Sequence, residues 1–455
     1  MKTKKEADLG HDTIGKLFFS LAIPAITSQV VNALYNMVDR MYIGHIPEIG
    51  ATALTGVGVT FPLIMIISAF AALVSMGGAP RASIMMGKGD KEEANRILGN
   101  CFTALVITAI VLTVGVIAFC EPLLMLFGAS ANTIGYARDY MLIYAAGTIF
   151  VQLTLGMNAF ISAQGFSRIS MLTVIIGALT NIVLDPILIF GFNMGVQGAA
   201  LATIISQAVS TVWVLWFLCG KRSTLQLHPR YFRIQTKILL PSLALGVAPF
   251  IMQSTESLLI LCFNSSLLKY GGDLAVGAMT ILSSVMQFSM LPLQGLTQGA
   301  QPIISFNYGA GSLQRVRKTF KLLLISCMTY TTLMWLLCML FPQLFAAIFT
   351  SDAALTEITV WALRIYMAAI LLMGAQLACQ QTFIALGNAK ISTFLALLRK
   401  IILLIPLIYL LPQLIDNQVF AVFLAEPIAD TIAVLTTVIL FLRYFKNIER
   451  ERGRL

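Results

Sequence analysis

The sequence predicts an all-α polytopic membrane protein with twelve transmembrane helices in two pseudo-symmetric six-helix lobes. Three observations lead there. Of 455 residues, 58% are hydrophobic and only 11% charged, with mean hydropathy +0.87, whereas soluble domains carry about 25% charged residues. Apolar stretches long enough to cross a bilayer, about 20 residues each, follow one another from Leu17 nearly to the C-terminus. The second half of the chain also repeats the landmarks of the first. Helices are expected because hydrocarbon offers no partner for backbone N–H and C=O groups, and the alternating ten-residue pattern of a β-barrel is absent.

The apolar runs place the spans at 14–44, 50–77, 95–118, 134–160, 168–190, 195–219, 237–268, 273–300, 315–342, 356–384, 392–412 and 417–443. The polar segment Met1 to Lys16 precedes the first run. That run lacks a small-residue cleavage site and exceeds a signal-peptide core, so it reads as a retained first span. After span two comes Gly77-x-x-Pro80-x-x-Ser83-x-x-x-Gly87-x-Gly89, and after span eight Gly299-x-x-Pro302-x-x-Ser305-x-x-x-Gly309-x-Gly311. Pro24 matches Pro249, Arg138 matches Arg364, and Gly165 with Ile169-Ser170 matches Gly387 with Ile391-Ser392, at offsets of 220–226 residues. Six spans per half make the halves parallel, related by an axis along the membrane normal. The expected domains are an amino-terminal lobe (1–220), a basic cytoplasmic linker (221–236) and a carboxy-terminal lobe (237–455). Gly87 and Gly89 permit a tight turn. Asp90-x-x-Glu93 then reads as a capping box, and Ser312 as the counterpart cap.

Net charge is +10, yet its placement excludes a nucleic-acid footprint. With the N-terminus inside, all Lys and Arg except Arg40, Arg138, Lys269 and Arg364 fall on the cytoplasmic side, as the positive-inside rule expects with both termini cytoplasmic. The seven cysteines form no CxxC pair and read as small apolar filler. The three histidines lie at segment ends, so no metal site is expected. No Gly-Lys-Ser/Thr phosphate loop, His-Glu-x-x-His or Gly-x-Ser-x-Gly occurs, which argues against ATP-driven action by this chain alone and against an intramembrane enzyme.

Ionisable groups inside a span cost at least about 2.5–3.5 kcal/mol, so each is a candidate functional residue. On span one, Gln29, Asn32, Asn36 and Asp39 fall within an arc of roughly 80°. Such a stripe faces protein or water, either as packing or as a cavity lining that ends in a titratable carboxylate. Asn181 and Asp185 on span five are i,i+4 neighbours, and Pro186 bends or breaks that helix. Thr203 and Gln207 on span six are also four apart. If Asp39 and Asp185 meet, two carboxylates in a low-dielectric site resist ionising together, as a proton carrier requires. The same oxygens with Asn181 and Thr203 could instead ligate Na+. The second half differs: Asn264 stands opposite Asp39 and Ile405 opposite Asp185. It brings instead Glu256, Arg364, Arg399, Glu426 and Asp430, with ion pairing and substrate or proton contact by Glu256 both open. Gln253, Glu256 and Asn264 on span seven and Gln287 on span eight complete the candidate cleft.

The run Pro24 to Asp39, the stretch Gly56-x-Gly58-x-x-Phe61-Pro62, the paired Gly-Pro-Ser-Gly-Gly motifs, Asn181-x-x-x-Asp185-Pro186 and Gly198-Ala199-Ala200-x-Ala202-Thr203 together resemble the MATE (multidrug and toxic compound extrusion) transporters, with wording similar to the MepA-type branch. The resemblance implies two six-helix lobes around a central cleft that opens alternately to each side. It further implies antiport, a cation (H+ or Na+) entering as an organic, often cationic, compound leaves a prokaryotic cell. Asp39, Asn181, Asp185 and Thr203 match the family's amino-lobe cation site, and Glu256 matches the span-seven acid of the NorM-like branch. That branch also has an aspartate on span ten, where this chain reads Cys379-Gln380-Gln381, which moves the expected cation site to the amino lobe. The partners so implied are small organic substrates and the bilayer, with a monomeric protein and no cofactor beyond the coupling ion. The alternative reading is a lipid-linked oligosaccharide flippase, which would need a strongly cationic cleft.

Overall fold

The computed structural model describes residues 8–452, and helices dominate it, with no strand among the described residues. The amino-terminal half comprises α1 (Ile14–Gly44), α2 (Gly50–Gly87), α3 (Lys91–Ala118), the short α4 (Cys120–Leu126), α5 (Ile134–Ala146), α6 (Thr148–Ala163), α7 (Ser167–Pro186) and α8 (Gly195–Cys219). The carboxy-terminal half comprises α9 (Thr236–Gly309), α10 (Leu313–Leu340), the short α11 (Pro342–Phe349), α12 (Ala353–Tyr366), α13 (Ile370–Ala385), α14 (Ala389–Leu397), α15 (Ile405–Leu414) and α16 (Gln418–Arg452).

At about 1.5 Å per residue, a straight α9 of 74 residues would be far longer than the bilayer's hydrocarbon core of about 30 Å. It is a hairpin. Gly272 sits at its apex with φ 65° and ψ −161°. Ser242 and Phe306, near its two ends, both lie against one stretch of α2, at Gly77 and Gly87. Counting α9 as two spans, and the bent pairs α5–α6 (57°) and α12–α13 (46°) as one each, gives the twelve spans the sequence predicts. The protein is a multi-pass membrane protein.

The repeat is visible in detail. Gly89 and Gly311 have φ of 83° and 79°, and Gly165 and Gly387 have 90° and 78°, a region that favours glycine. A π-helical stretch follows α7 (Ile187–Gly191) and α14 (Leu398–Leu404) at matching places. The helix at Pro186 therefore does not break; it widens. Two other expectations need correction. Asp90 caps α3 through Glu93 N (2.9 Å), but its own N–H goes to Met85 O, so the box is half made. Ser312 makes no side-chain cap at all, whereas Asn388 caps α14 through Ile391 N (3.1 Å).

The motif glycines Gly77, Gly87, Gly299 and Gly309 line the seam between the halves rather than only turning the chain. A Cβ on Gly77 would lie 1.8 Å from Ser242 O, on Gly87 2.0 Å from Phe306 O, and on Gly309 2.0 Å from Ile84 O. Gly295 and Gly299 admit the α1 backbone at Ile26 and Ala22 in the same way. Arg81 Nη1 donates across the seam to Ile238 O (2.6 Å) and Ser242 Oγ (2.7 Å). Phe70 meets Phe250 edge to face, and Gln29 Nε2 donates to Gln298 Oε1 (3.2 Å). All these contacts sit toward the end of the bundle that carries the basic loops. Toward the other end, Asn32, Asn36, Glu256 and Gln287 are exposed, so the halves diverge into a cleft.

Each half also holds the segment that leads into the other. Leu225, Leu227 and Tyr231 of the linker are buried. Gln164 Oε1 accepts from Leu225 N (2.9 Å), and Asn100 Oδ1 accepts from Gln235 N (2.6 Å). Ahead of α1, Leu9 is buried, and its carbonyl accepts from Asn307 Nδ2 (2.8 Å) and Arg315 Nη2 (3.1 Å). Lys2, Lys4, Lys5 and Arg454 of the charge count lie outside the described residues. Arg399 and Lys400, counted there on the cytoplasmic side, are buried in the π-helical stretch after α14, so their placement is chemical and not topological.

Candidate functional site

The polar stripe of α1 runs into the first lobe where α1 packs on α7, and α7 on α8. Asp39, Asn181, Asp185 and Thr203 meet there, and all four are buried. Asn181 Nδ2 donates to Asp185 Oδ1 (3.3 Å) and lies 3.4 Å from Thr203 Oγ1. The Asp39 and Asp185 carboxyl groups are within hydrogen-bonding reach of each other, which requires a proton between them or a cation. Asp39 Oδ1, Asn181 Oδ1, Asp185 Oδ2 and Gln207 Oε1 are buried and accept no hydrogen bond from a described residue. Buried oxygens without donors are costly, so this set is chemically ready for a proton, or for a small cation that prefers oxygen.

Local structure explains why they converge. Small residues at Gly198, Ala199, Ala200 and Ala202 let α8 approach the π stretch, where a Cβ on Gly198 would fall 2.8 Å from Leu188 O. The i,i+4 spacing stacks Asn181 over Asp185 on one face. Neither aspartate forms an ion pair with a Lys or Arg among the described residues. Arg40, next to Asp39, instead places its guanidinium 5.0 Å from the centre of the Phe61 ring. The sequence reading missed Tyr140 on α5. It is buried, with its phenol in reach of Thr203. Its one available signal is the i,i+4 spacing to Tyr144, with which it stacks.

The carboxy lobe assembles a different cluster from the counterpart elements, the first arm of α9, the π stretch after α14, and α16. Arg399 Nε donates to Asp430 Oδ1 (2.6 Å) and its Nη2 to Glu426 Oε1 (3.3 Å). Lys400 Nζ donates to Glu256 Oε2 (2.7 Å). Of the ionisable residues singled out in this half, Arg364 does not join; it is exposed and donates to Met339 O. Lys400 was not singled out from sequence, where it enters only the count of cytoplasmic-side cations. Removing one partner of a buried ion pair costs about 3–5 kcal/mol. Arg399→Met, which strands Glu426 and Asp430, is therefore expected to lower the Tm of the detergent-purified protein, and Glu426→Gln/Arg399→Met/Asp430→Leu to recover much of the loss.

The remaining cleft candidates spread along the two facing helices. Gln29 is taken up by Gln298 at the seam. Asn36 Nδ2 bonds Asn32 O of its own helix (2.7 Å), leaving both side chains on the cleft side. Gln253 and Asn264 are half-buried. Asn264 lies eight residues, about 12 Å, beyond Glu256 and outside the charge cluster.

Comparison with known proteins agrees with this architecture. The MatE family model matches residues 24–187 and again 249–410, once in each half. Among curated relatives, the multidrug export protein MepA of Staphylococcus haemolyticus (strain JCSC1435) is 23% identical over 436 residues, covering 95% of each chain. MepA of Staphylococcus aureus (strain N315) is 22% identical, covering 93% of this chain and 94% of its own. Among solved structures, the MATE multidrug transporter DinF-BH superimposes with a TM-score of 0.88 at 36% identity, covering 97% and 98% of the two chains. A MATE protein in its bent conformation superimposes with a TM-score of 0.92 at 22% identity, over 99% and 100%. With the family model covering most of both halves, the chain belongs to the MatE family.

Proposed function

We propose that the protein is a secondary active multidrug efflux transporter of the prokaryotic cell (inner) membrane, exchanging H+ (or Na+) for organic, often cationic, compounds by alternating access. The observation that carries this reading is the Asp39–Asp185 pair, buried among donor-poor oxygens beside a cleft closed at one end only. The names of the MepA and DinF-BH relatives support export of varied drugs. The basic loops support a cytoplasmic location for the closed end and both termini by the positive-inside rule, and on that reading this is the outward-open state. One chain supplies both walls of the cleft, so a monomer suffices.

In this cycle the empty acid pair favours a cationic compound in the cleft. A proton or Na+ arriving from outside neutralises the pair, and differential affinity of ion and drug for the two states couples their movements. α1 transmits the event: its outer part, at Ile43, belongs to the amino-lobe core, while Leu17, Phe18 and Leu21 belong to an apolar cluster with the carboxy lobe. Pro24 lies between these two anchorages, where a missing N–H eases bending.

The flippase alternative is disfavoured by charge. Arg399 is neutralised by two carboxylates, Arg364 is exposed, and Arg40 stands on Phe61, so none of these three arginines offers the cleft a free cation for a pyrophosphate. Vesicles containing the purified protein and a fluorescent organic cation are expected to move the dye under an imposed pH gradient or an imposed Na+ gradient, each applied alone. Movement under one identifies the ion; movement under neither rejects ion-driven antiport.

A further inference from the structure

The same three elements of each lobe carry the buried charge, yet their balance differs. In the amino lobe, two carboxylates face each other with no Lys or Arg paired to them among the described residues. In the carboxy lobe, three carboxylates share two cations: Lys400 pairs with Glu256, and Arg399 with both Glu426 and Asp430. Arg399 is committed to Asp430 and Glu426. Among the described residues Lys400 is the one cation that forms an ion pair with Glu256, at 2.7 Å, with its side chain 8% exposed. Glu256 is flanked by protein, yet 57% of its side chain is accessible from the cleft. The facing helix α13 contributes amides and no acid. Gln376 Nε2 donates to Gln380 Oε1 (3.1 Å), and Gln380 Nε2 lies 3.2 Å from Met252 Sδ. Tyr366, buried beside the cluster, adds a phenol.

We propose that Lys400 is a tethered counter-ion whose ammonium occupies the place on Glu256 that a proton or Na+ would otherwise take, so that Glu256 takes no part in cation exchange. The proposal rests on the reading of Asp39 and Asp185 as the exchange site. A group on a short tether cannot diffuse away, so it meets Glu256 again after every separation, and the Lys400 ammonium already sits 2.7 Å from Oε2. The pair also stays in place because the Lys400 ammonium, 8% exposed, would be stranded in a low-dielectric setting if it left Glu256. Glu256 thus remains ionised and matched through the cycle. It presents Oε1 to the cleft as a hydrogen-bond acceptor on a pair of zero net charge, which suits singly charged and neutral amines better than dications.

The test counts cations bound by the full-length protein in detergent, by proton uptake in lightly buffered solution on a step from neutral to mildly acidic pH, and by equilibrium dialysis with radioactive Na+. Lys400→Met is expected to bind one cation more than wild type, Glu256→Gln/Lys400→Met to return to the wild-type count, and Lys400→Arg to match wild type. No added cation in folded Lys400→Met overturns the proposal. Should Lys400→Met fail to fold, the double variant, which strands neither partner of the pair, decides: an unchanged count upholds the proposal and a count lower by one overturns it. Asp39→Asn in the same assay separates the two readings, since a count unchanged there rejects the amino-lobe exchange site and leaves the Lys400 result standing.

Discussion

Asp39→Asn is expected to reduce gradient-driven efflux of a fluorescent organic cation from energised vesicles by about 5–150-fold, the range that a coupling free energy of 1–3 kcal/mol supports. Asparagine keeps the size and the hydrogen-bonding capacity of the side chain. It cannot take a proton in this range, and it gives Na+ a neutral ligand in place of a charged one. With Asp185 then the sole acid of the pocket, the condition that makes a proton sit between two carboxyl groups disappears. Asp185→Asn removes the same condition from the other side and is expected to act in the same direction, and the two changes together should add little, because they disable one unit. Binding of the cationic dye to the detergent-purified variants should weaken without being abolished, since the amide mimics the neutralised pair while Asn32 and Asn36 on the cleft wall are untouched. Undiminished transport by Asp39→Asn under the gradient that drives wild type would end the assignment.

Gly246→Val is expected to be as damaging for a different reason. A Cβ at Gly246 would lie 1.7 Å from Leu73 O, a backbone atom in the middle of α2. No rotamer change relieves such a contact, so α2 and the first arm of α9 must part. The variant should be held open at the end that wild type seals, with transport reduced by more than about ten-fold, since interfaces of this kind switch between discrete packings rather than deform. A cysteine introduced as Ser83→Cys, buried in the seam, should then react with a membrane-impermeant thiol reagent from the basic-loop side, and faster than in the Gly246 parent. Wild-type transport together with unchanged labelling would show that the seam does not need to close.

Much of this was legible in the residues. Length and apolarity locate the spans, because lipid leaves the backbone no other option, and the Gly-Pro-Ser-Gly-Gly pair exposes the repeat. The convergence of Asp39 with Asp185 was readable because helical periodicity placed each on a polar face, and polar faces in a membrane must find one another. The partner of Glu256 was not readable. Lys400 stands 144 residues away, beside Arg399, in a stretch whose π-helical turns rotate side chains away from the phase that 3.6 residues per turn assigns. The glycine seam was legible as a motif and illegible as a contact. A glycine shows that something must come close, and the sequence does not say what. Tyr140 was hidden for the opposite reason, since a tyrosine in an apolar run is ordinarily filler with a polar tip.

The exchange of leader segments has a consequence for biogenesis. Leu9 is seated by Asn307 and Arg315, so the segment just ahead of α1 has its final berth on residues that emerge roughly 300 positions later. At about 5–20 residues per second, α1 waits on the order of 15–60 s in the bilayer before those residues exist. During that interval lipid tails stand in for the missing half against Leu17, Phe18 and Leu21, while the stripe from Gln29 to Asp39 has to rely on whatever water or neighbouring helix is at hand. α1 thus cannot reach its final packing until helices made much later have been inserted.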